Sequence, residues 1–225
     1  FGQHPLVEKL AKLSLQVSDV ASSNGASSWP YPNRAAAEAA LAHCRRTRPP
    51  GETQLSAIHG LTCLIADAAS TPAAKAFWQH TGLGASSRLA AIALGQEQTA
   101  SGSAAENARS NVMERLKRIY RCERDAISLH PSGMSALHRA LQLITAIRSN
   151  RPVLQIGFPY VDVLKLPQVV FNGAELLLDD SAASVSAALE RLQPSAVVVE
   201  LPSNPLLRCI DLSTVARLAH QQGIP

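Results

Sequence analysis

Little in this chain is aromatic, and its charge leans only weakly to one side. Phe, Trp and Tyr together make up 4% of 225 residues, and the formal net charge is +4. A surplus that small, scattered along the chain, lacks the electrostatic footprint of a nucleic-acid binder. The one basic cluster, Arg45, Arg46 and Arg48, reads as a solvated helix end. There are 4 cysteines (Cys44, Cys63, Cys122, Cys209), far apart and without a C-x-x-C pair, so metal-ligand spacing is absent. They read as small buried hydrophobes of a reducing compartment, which makes a cytoplasmic location the expectation. No apolar run approaches the ~20 residues a membrane helix needs, and the N-terminus carries no secretory signal pattern. Neither a G-x-G-x-x-G nor a Walker loop is present, which removes the two commonest glycine-rich routes to a nucleotide.

What is present is a globular composition. Apolar residues are 46% and charged residues 17%, enough for a full core built largely from alanine and other small side chains. Residues 1–24 hold one weak amphipathic segment at Pro5–Leu15, followed by a Ser/Gly-rich linker at Ala21–Ser28. Trp29–Asn33 reads as a turn, with Asn33 capping an alanine-rich helix to about Arg46. Thr47–Thr53 reads as a loop, Leu55–Ala68 as one or two strands, and Ser70–His80 as a helix with Pro72 in its first turn. Ser86 and Ser87 precede a short helix to about Leu94. Gln96–Ala105 is small and polar, a link between two parts.

From Ala105 a helix runs to Tyr120, and from Asp125 strands and helices alternate regularly. Ala126–His130, Val153–Ile156, Glu175–Leu178 and Ala196–Leu201 read as strands. Ser135–Ile147 and Ser181–Leu192 read as helices, and Leu164–Val170 as a helix passing into a strand. Such alternation implies a mainly parallel α/β sheet with right-handed crossovers. The expected division is a small α/β module with an arm over residues 1–95 and the first part of a larger domain over residues 105–225. The chain begins at Phe1 rather than Met and stops just after a helix, and it reads as a fragment.

Ligands of such sheets lie beyond the carboxyl ends of the strands, and three loops fall there. His130-Pro131-Ser132-Gly133-Met134 opens a helix, where backbone N–H groups and the helix dipole favour a phosphate and Gly133 admits close approach. Gly157-Phe158-Pro159-Tyr160 puts an aromatic where it can stack on a flat heterocycle. Pro202-Ser203-Asn204-Pro205 follows the valine-rich strand, its prolines restricting the backbone around Asn204. Ser213 then offers a helix cap and Gly223 a helix stop. Each loop alone also has an ordinary structural reading: helix start, packing aromatic, tight turn.

The stretch ELPSNPLLRCIDLSTVARLAHQQGIP resembles the E-x-P-S-N-P-L-L-x-x-x-D-[IL] segment of the Cys/Met-metabolism enzymes that use pyridoxal 5′-phosphate (PLP), the cystathionine γ-synthase family. GFPYVDVLKL (157–166) and AKAFWQHTGLGASSRLA (74–90) are similar to stretches of its long, fungal-type members. The resemblance implies the large domain of a fold type I PLP-dependent transferase, truncated here and preceded by a small α/β module. It implies Ser132, Gly133 and Met134 as the phosphate loop, Tyr160 as the residue stacked on the cofactor ring, with Phe158 in reserve, and Asn204 at the cofactor's 3′ oxygen. Arg88, in Ser86-Ser87-Arg88, is the best counterpart of an arm arginine that reaches a neighbouring subunit's phosphate, although the arm's tyrosine is missing.

The same resemblance implies transsulfuration: γ-replacement on an activated homoserine ester by cysteine, within methionine biosynthesis, in a homodimer or homotetramer acting on small amino acids. No nucleic acid, membrane or metal enters. A γ-lyase, a homoserine sulfhydrylase and a non-catalytic PLP-fold partner are the alternatives. The lysine that bonds the cofactor and the aspartate that pairs its ring nitrogen fall after Pro225 in the family's order. All five lysines here, Lys9, Lys12, Lys75, Lys117 and Lys165, precede Asn204. No catalytic residue is therefore assigned within these residues, and the fragment alone is expected to be inactive.

Overall fold

The computed structural model describes residues 2–18, 25–47, 52–99, 101–148 and 150–225. These form a mixed α/β protein with one antiparallel and one parallel sheet. The chain divides into two compact units, one of residues 1–78 and 83–136, the other of residues 79–82 and 137–225.

In the first unit, helices α1 (Pro5–Gln16) and α2 (Arg34–Thr47) accompany strands β1 (Ser27–Tyr31), β2 (Thr53–Ile58) and β3 (Leu61–Ala66). Helices α3 (Thr71–Thr81, whose residues 79–81 belong to the second unit), α4 (Ser87–Ala93) and α5 (Gly102–Tyr120) follow. The sheet order is β1-β3-β2, antiparallel throughout. His59 and Gly60 both have positive φ and close the two-residue turn between β2 and β3, the geometry that suits the right-handed strand twist.

Trp29–Tyr31, expected as a turn, belongs to β1 and pairs with Leu64–Thr62. Pro30 survives there because β1 is an edge strand, where a missing N–H costs no inner ladder bond. Asn33 caps α2 as expected, its Oδ1 accepting from Ala36 N at 3.0 Å. The linker expected at Ala21–Ser28 includes residues 21–24, which lie outside the described residues. Its last two serines are part of β1.

Packing here is tight. Tyr31, Phe77, His43 and Cys44 are buried together around ring contacts of 5.3 and 6.3 Å. Gly84 lies under the indole of Trp78, where an added Cβ would sit 2.2 Å from Nε1. Cys44 and Cys63 are buried as the sequence reading has it, whereas Cys122 is half-buried and Cys209 exposed.

The second unit holds a parallel sheet of β4 (Val153–Ile156), β5 (Ala174–Leu177) and β6 (Ala196–Val199), in the order β5-β4-β6. Helices α6 (Gly133–Ile147, from Leu137 onward in this unit), α7 (Val161–Val170), α8 (Ala182–Leu192) and α9 (Leu212–Gln221) alternate with the strands. One face is a dry cluster: Leu154 and Ile156 of β4 pack with Val185, Ala188 and Leu189 of α8 and with Val215 and Ala219 of α9.

Gln155, the inner β4 residue of opposite parity, is fully buried and donates its Nε2 to the carbonyl of Val163 at 2.7 Å. Pro167 lies inside α7 four residues after Val163 and has no N–H to give that carbonyl. The glutamine thus fills the vacancy that the proline makes, which lets 164–170 stay helical rather than pass into a strand.

Three further expectations change. Ala126–His130 is not a strand: a 3-10 turn occupies Arg124–Ala126, and Ile127–His130 has no ladder partner among the described residues. The strand expected to Leu201 ends at Val199. The cap of α9 is Asp211, not Ser213, because its Oδ1 accepts from Thr214 N at 3.1 Å. The cap of α8 is Ser181, whose side chain accepts from Ser184 N. Among the described residues, no helix is long and apolar enough to cross a membrane.

Candidate functional site

Strands β4 and β6 are hydrogen-bonded neighbours running the same way, so the loops after Ile156 and Val199 emerge side by side. Gly157 turns the first loop at φ 89°, and Tyr160 ends it as the N-cap of α7. Glu200 is the first residue beyond β6. Its Oε2 accepts the backbone N–H of Tyr160 at 2.5 Å, tying the two loops together.

The second loop then closes on itself. Ser203 is buried, donates its N–H to Arg208 O at 2.9 Å, and accepts Arg208 N on its hydroxyl at 3.0 Å. Leu207 N returns to Ser203 O at 2.8 Å. This small ring of hydrogen bonds holds Asn204 at the exposed crest of the loop. Gly157, Phe158, Glu200, Ser203, Arg208 and Ile210 line a cleft of about 10 Å³ between the loops. That volume takes roughly one water, so a planar ligand has to lie across the strand tips rather than inside them. Phe158 is 45% exposed at this edge.

Close in sequence to Tyr160 stands a polar pair that the sequence reading did not find. Asp162 lies two residues after Tyr160, in the first turn of α7. Its carboxylate meets His80 Nδ1 at 2.9 Å, with both side chains nearly buried. Asp162, and after it Glu200, raise the Tyr160 phenol above its ordinary pKa by opposing a second negative charge. His80 and Asp162 both lie in quoted stretches, AKAFWQHTG and GFPYVDVLK. They are 82 residues apart, and no local periodicity links them.

The remaining predicted residues lie in the first unit and stand there by themselves. Ser132 caps α6: its Oγ accepts from Ser135 N at 3.1 Å, and Ser135 Oγ donates to Ser132 O at 2.8 Å. Gly133 is the first helical residue, and a Cβ built on it meets nothing within 4 Å, so the helix start is open. Met134 follows, half-buried. Arg88 is exposed on the first turn of α4, whose cap is Ser86. The structure brings Tyr160 and the 200–205 loop together, and the described residues contain no cluster suited to a metal ion.

Comparison with known proteins finds relatives at low identity. The chain is 28% identical over 202 residues to an L-2-amino-4-chloropent-4-enoate dechlorinase/desaturase of Streptantibioticus cattleyicolor, covering 84% of this chain and 40% of that protein. It is 35% identical over 115 residues to a cystathionine gamma-synthase of Neurospora crassa, covering 45% of this chain and 18% of that protein. An alanine racemase of Aspergillus violaceofuscus is 28% identical over 205 residues, covering 73% of this chain and 35% of that protein. The chain thus spans well under half the length of each of these relatives. No family model and no solved structure matches it.

Proposed function

We propose that this chain is the cofactor-cradling part of a PLP-dependent enzyme of cysteine and methionine metabolism, built on a fold type I large domain. The relatives are cystathionine gamma-synthase-like and related PLP-dependent enzymes. The observation that carries the reading is the Tyr160–Glu200 bond, which sets an aromatic ring beside the E-L-P-S-N-P loop at the tips of two adjacent parallel strands.

PLP, when bound, serves as an electron sink for a substrate amine. The residues suit its parts. The open N-terminus of α6 at Ser132, Gly133 and Met134 offers backbone donors and a favourable dipole to the phosphate. Tyr160 offers a ring face, with Phe158 exposed beside it. Asn204, held at the crest of a closed loop, offers an amide to a ring oxygen. Arg88 is exposed, which suits it to reach a phosphate of a second subunit and makes a homodimer or homotetramer part of the proposal.

The reaction proposed for the whole protein is γ-replacement of an activated homoserine ester by cysteine, a transsulfuration step on small amino-acid substrates. The match to the Neurospora crassa enzyme supports that choice. To test it, the whole protein is given PLP, an acylated homoserine and cysteine, and cystathionine is measured. Formation that disappears when PLP is removed is the expected result. Saturable PLP binding without cystathionine refutes the reaction, and absence of PLP binding refutes the cofactor.

A further inference from the structure

The chain leaves β4 and β6 in opposite directions. From β4 it crosses through α7 to β5, on one side of the sheet order. From β6 it crosses through α9 and returns at Pro225, whose carbonyl accepts Val197 N at 2.8 Å on the free edge of β6. The two crossovers also use opposite faces. Gln155, which meets α7 at Val163, alternates along β4 with Leu154 and Ile156, which pack with α8 and α9. Neighbouring parallel strands whose connections diverge leave a crevice beyond their carboxyl ends, and open α/β sheets take ligands there. In this sheet the crevice lies between Gly157 and Glu200.

Arg208 lines it. Its main chain is tied twice to the buried Ser203: Arg208 N donates to Ser203 Oγ at 3.0 Å, and Arg208 O accepts Ser203 N at 2.9 Å. Its side chain is exposed and far less engaged. Among the described residues the guanidinium makes no hydrogen bond, and its one ionic partner is Asp180, with Nη2 and Oδ2 4.0 Å apart, too far for such a bond. By contrast, Arg191 makes two bonds to Glu175, and Arg151 donates to Gln193 O at 3.2 Å. A planar guanidinium on an anchored backbone, with its donors unmatched at a ligand crevice, suits bidentate capture of a carboxylate. Glu200 and Asp180 stand near it, so the crevice carries both signs of charge. That mixture favours a ligand that bears an ammonium beside its carboxylate and disfavours a phosphate dianion.

We propose that Arg208 is an anion-binding residue of this crevice, which takes a carboxylate of a small zwitterionic amino acid in place of Asp180. That the ligand is a substrate of a PLP-dependent enzyme rests on the function proposed above; the anion site itself needs no PLP.

The test labels the chain with ¹⁵N and follows the arginine Nε–H signals at mildly acidic pH as L-homoserine is added. Loss of one signal in Arg208→Gln, and again in Arg208→Lys, identifies Arg208. Arg217, exposed on α9, reports nonspecific ionic effects. A saturable shift at Arg208 but not at Arg217 is expected, and none with L-homoserinamide, which lacks the carboxylate. Asp180→Asn removes the competing carboxylate and is expected to tighten L-homoserine binding about twofold to fivefold, the worth of an exposed ion pair.

An Arg208 signal that stays still, that moves only together with Arg217, or that moves equally with the amide overturns the proposal. A saturable shift with inorganic phosphate that L-homoserine does not produce overturns the choice of a carboxylate. Unchanged affinity in Asp180→Asn overturns the displacement of Asp180. L-homoserine binding at Arg208 in a protein that binds no PLP keeps the anion site and refutes the function proposed above, whereas PLP-dependent cystathionine formation with no Arg208 shift does the reverse.

Discussion

Gln155 is the side chain whose removal tests the fold most directly. Its buried Nε2 serves the carbonyl of Val163 at 2.7 Å, the carbonyl that Pro167 leaves without its helical donor. Gln155→Leu keeps the volume and removes the donor. A buried carbonyl left unpaired costs about 1–3 kcal/mol. Part of this is offset, because the substitution also removes Gln155 Oε1, which is buried without a partner among the described residues.

The diagnostic quantity is therefore the coupling with Pro167→Ala, which restores a backbone N–H at position 167. In the wild-type background that N–H competes with Gln155 and a buried proline ring is lost. In the Gln155→Leu background it rescues the orphaned carbonyl. Pro167→Ala is expected to be more favourable by about 1–2 kcal/mol in the Gln155→Leu background than in wild type. Urea unfolding of the four proteins, followed by far-ultraviolet circular dichroism at constant slope, measures it. Additivity within about 0.5 kcal/mol refutes the argument that the glutamine replaces the missing helical donor.

Other perturbations follow from the packing and the charges. Burial, and after it Arg46, depresses His43 to about 4, and burial with Arg139 does the same to His138. The unfolded chain binds protons from about pH 6.5 downward while these two remain neutral, so stability falls as pH drops from 6.5 to 4 and levels off below. From pH 7 to pH 5 each contributes about 2 kcal/mol at most, with solvent screening lowering that bound. Urea midpoints of His43→Phe with the same pH slope as wild type would contradict this.

Gly84→Ala drives a methyl group into the Trp78 indole at 2.2 Å and is expected to cost about 1–3 kcal/mol, with a changed tryptophan emission; an unchanged melting temperature refutes it. Asp211, held at about 2 by the Ser213 and Thr214 hydroxyls, caps α9. Asp211→Ala is expected to speed hydrogen exchange at the Thr214 amide, and equal exchange in both proteins would show that the cap is idle.

How far the sequence could be read depended on how far apart the interacting residues lie. Val153–Ile156 was legible as a strand because a short, fully buried parallel strand writes itself as an unbroken apolar run. Asn33 was legible as a cap because the donor it satisfies is three residues away. The strand-tip loops around Gly157 and Pro202 were legible from residue type and from the resemblance that their motifs carry. Ser213 was misread as the α9 cap because three candidate oxygens, those of Asp211, Ser213 and Thr214, crowd one turn, and only the backbone path selects among them. The His59-Gly60 turn carried a local signal, a glycine between two apolar runs, that the reading passed over.

The sequence by itself determined the strand at Val153–Ile156, the α8 helix, the cap of α2 and the residue types at the loop tips, since these follow from periodicity and neighbours a few residues away. Tertiary structure alone decided that Trp29–Tyr31 is a strand, because its partner is Leu64–Thr62. It decided that Ile127–His130 is not a strand among the described residues, for want of any ladder partner. It decided that a proline can sit inside α7, because a glutamine from β4 reaches it. The His80–Asp162 pair belongs to the same class: a histidine and an aspartate 82 residues apart meet only when folding removes the water between them.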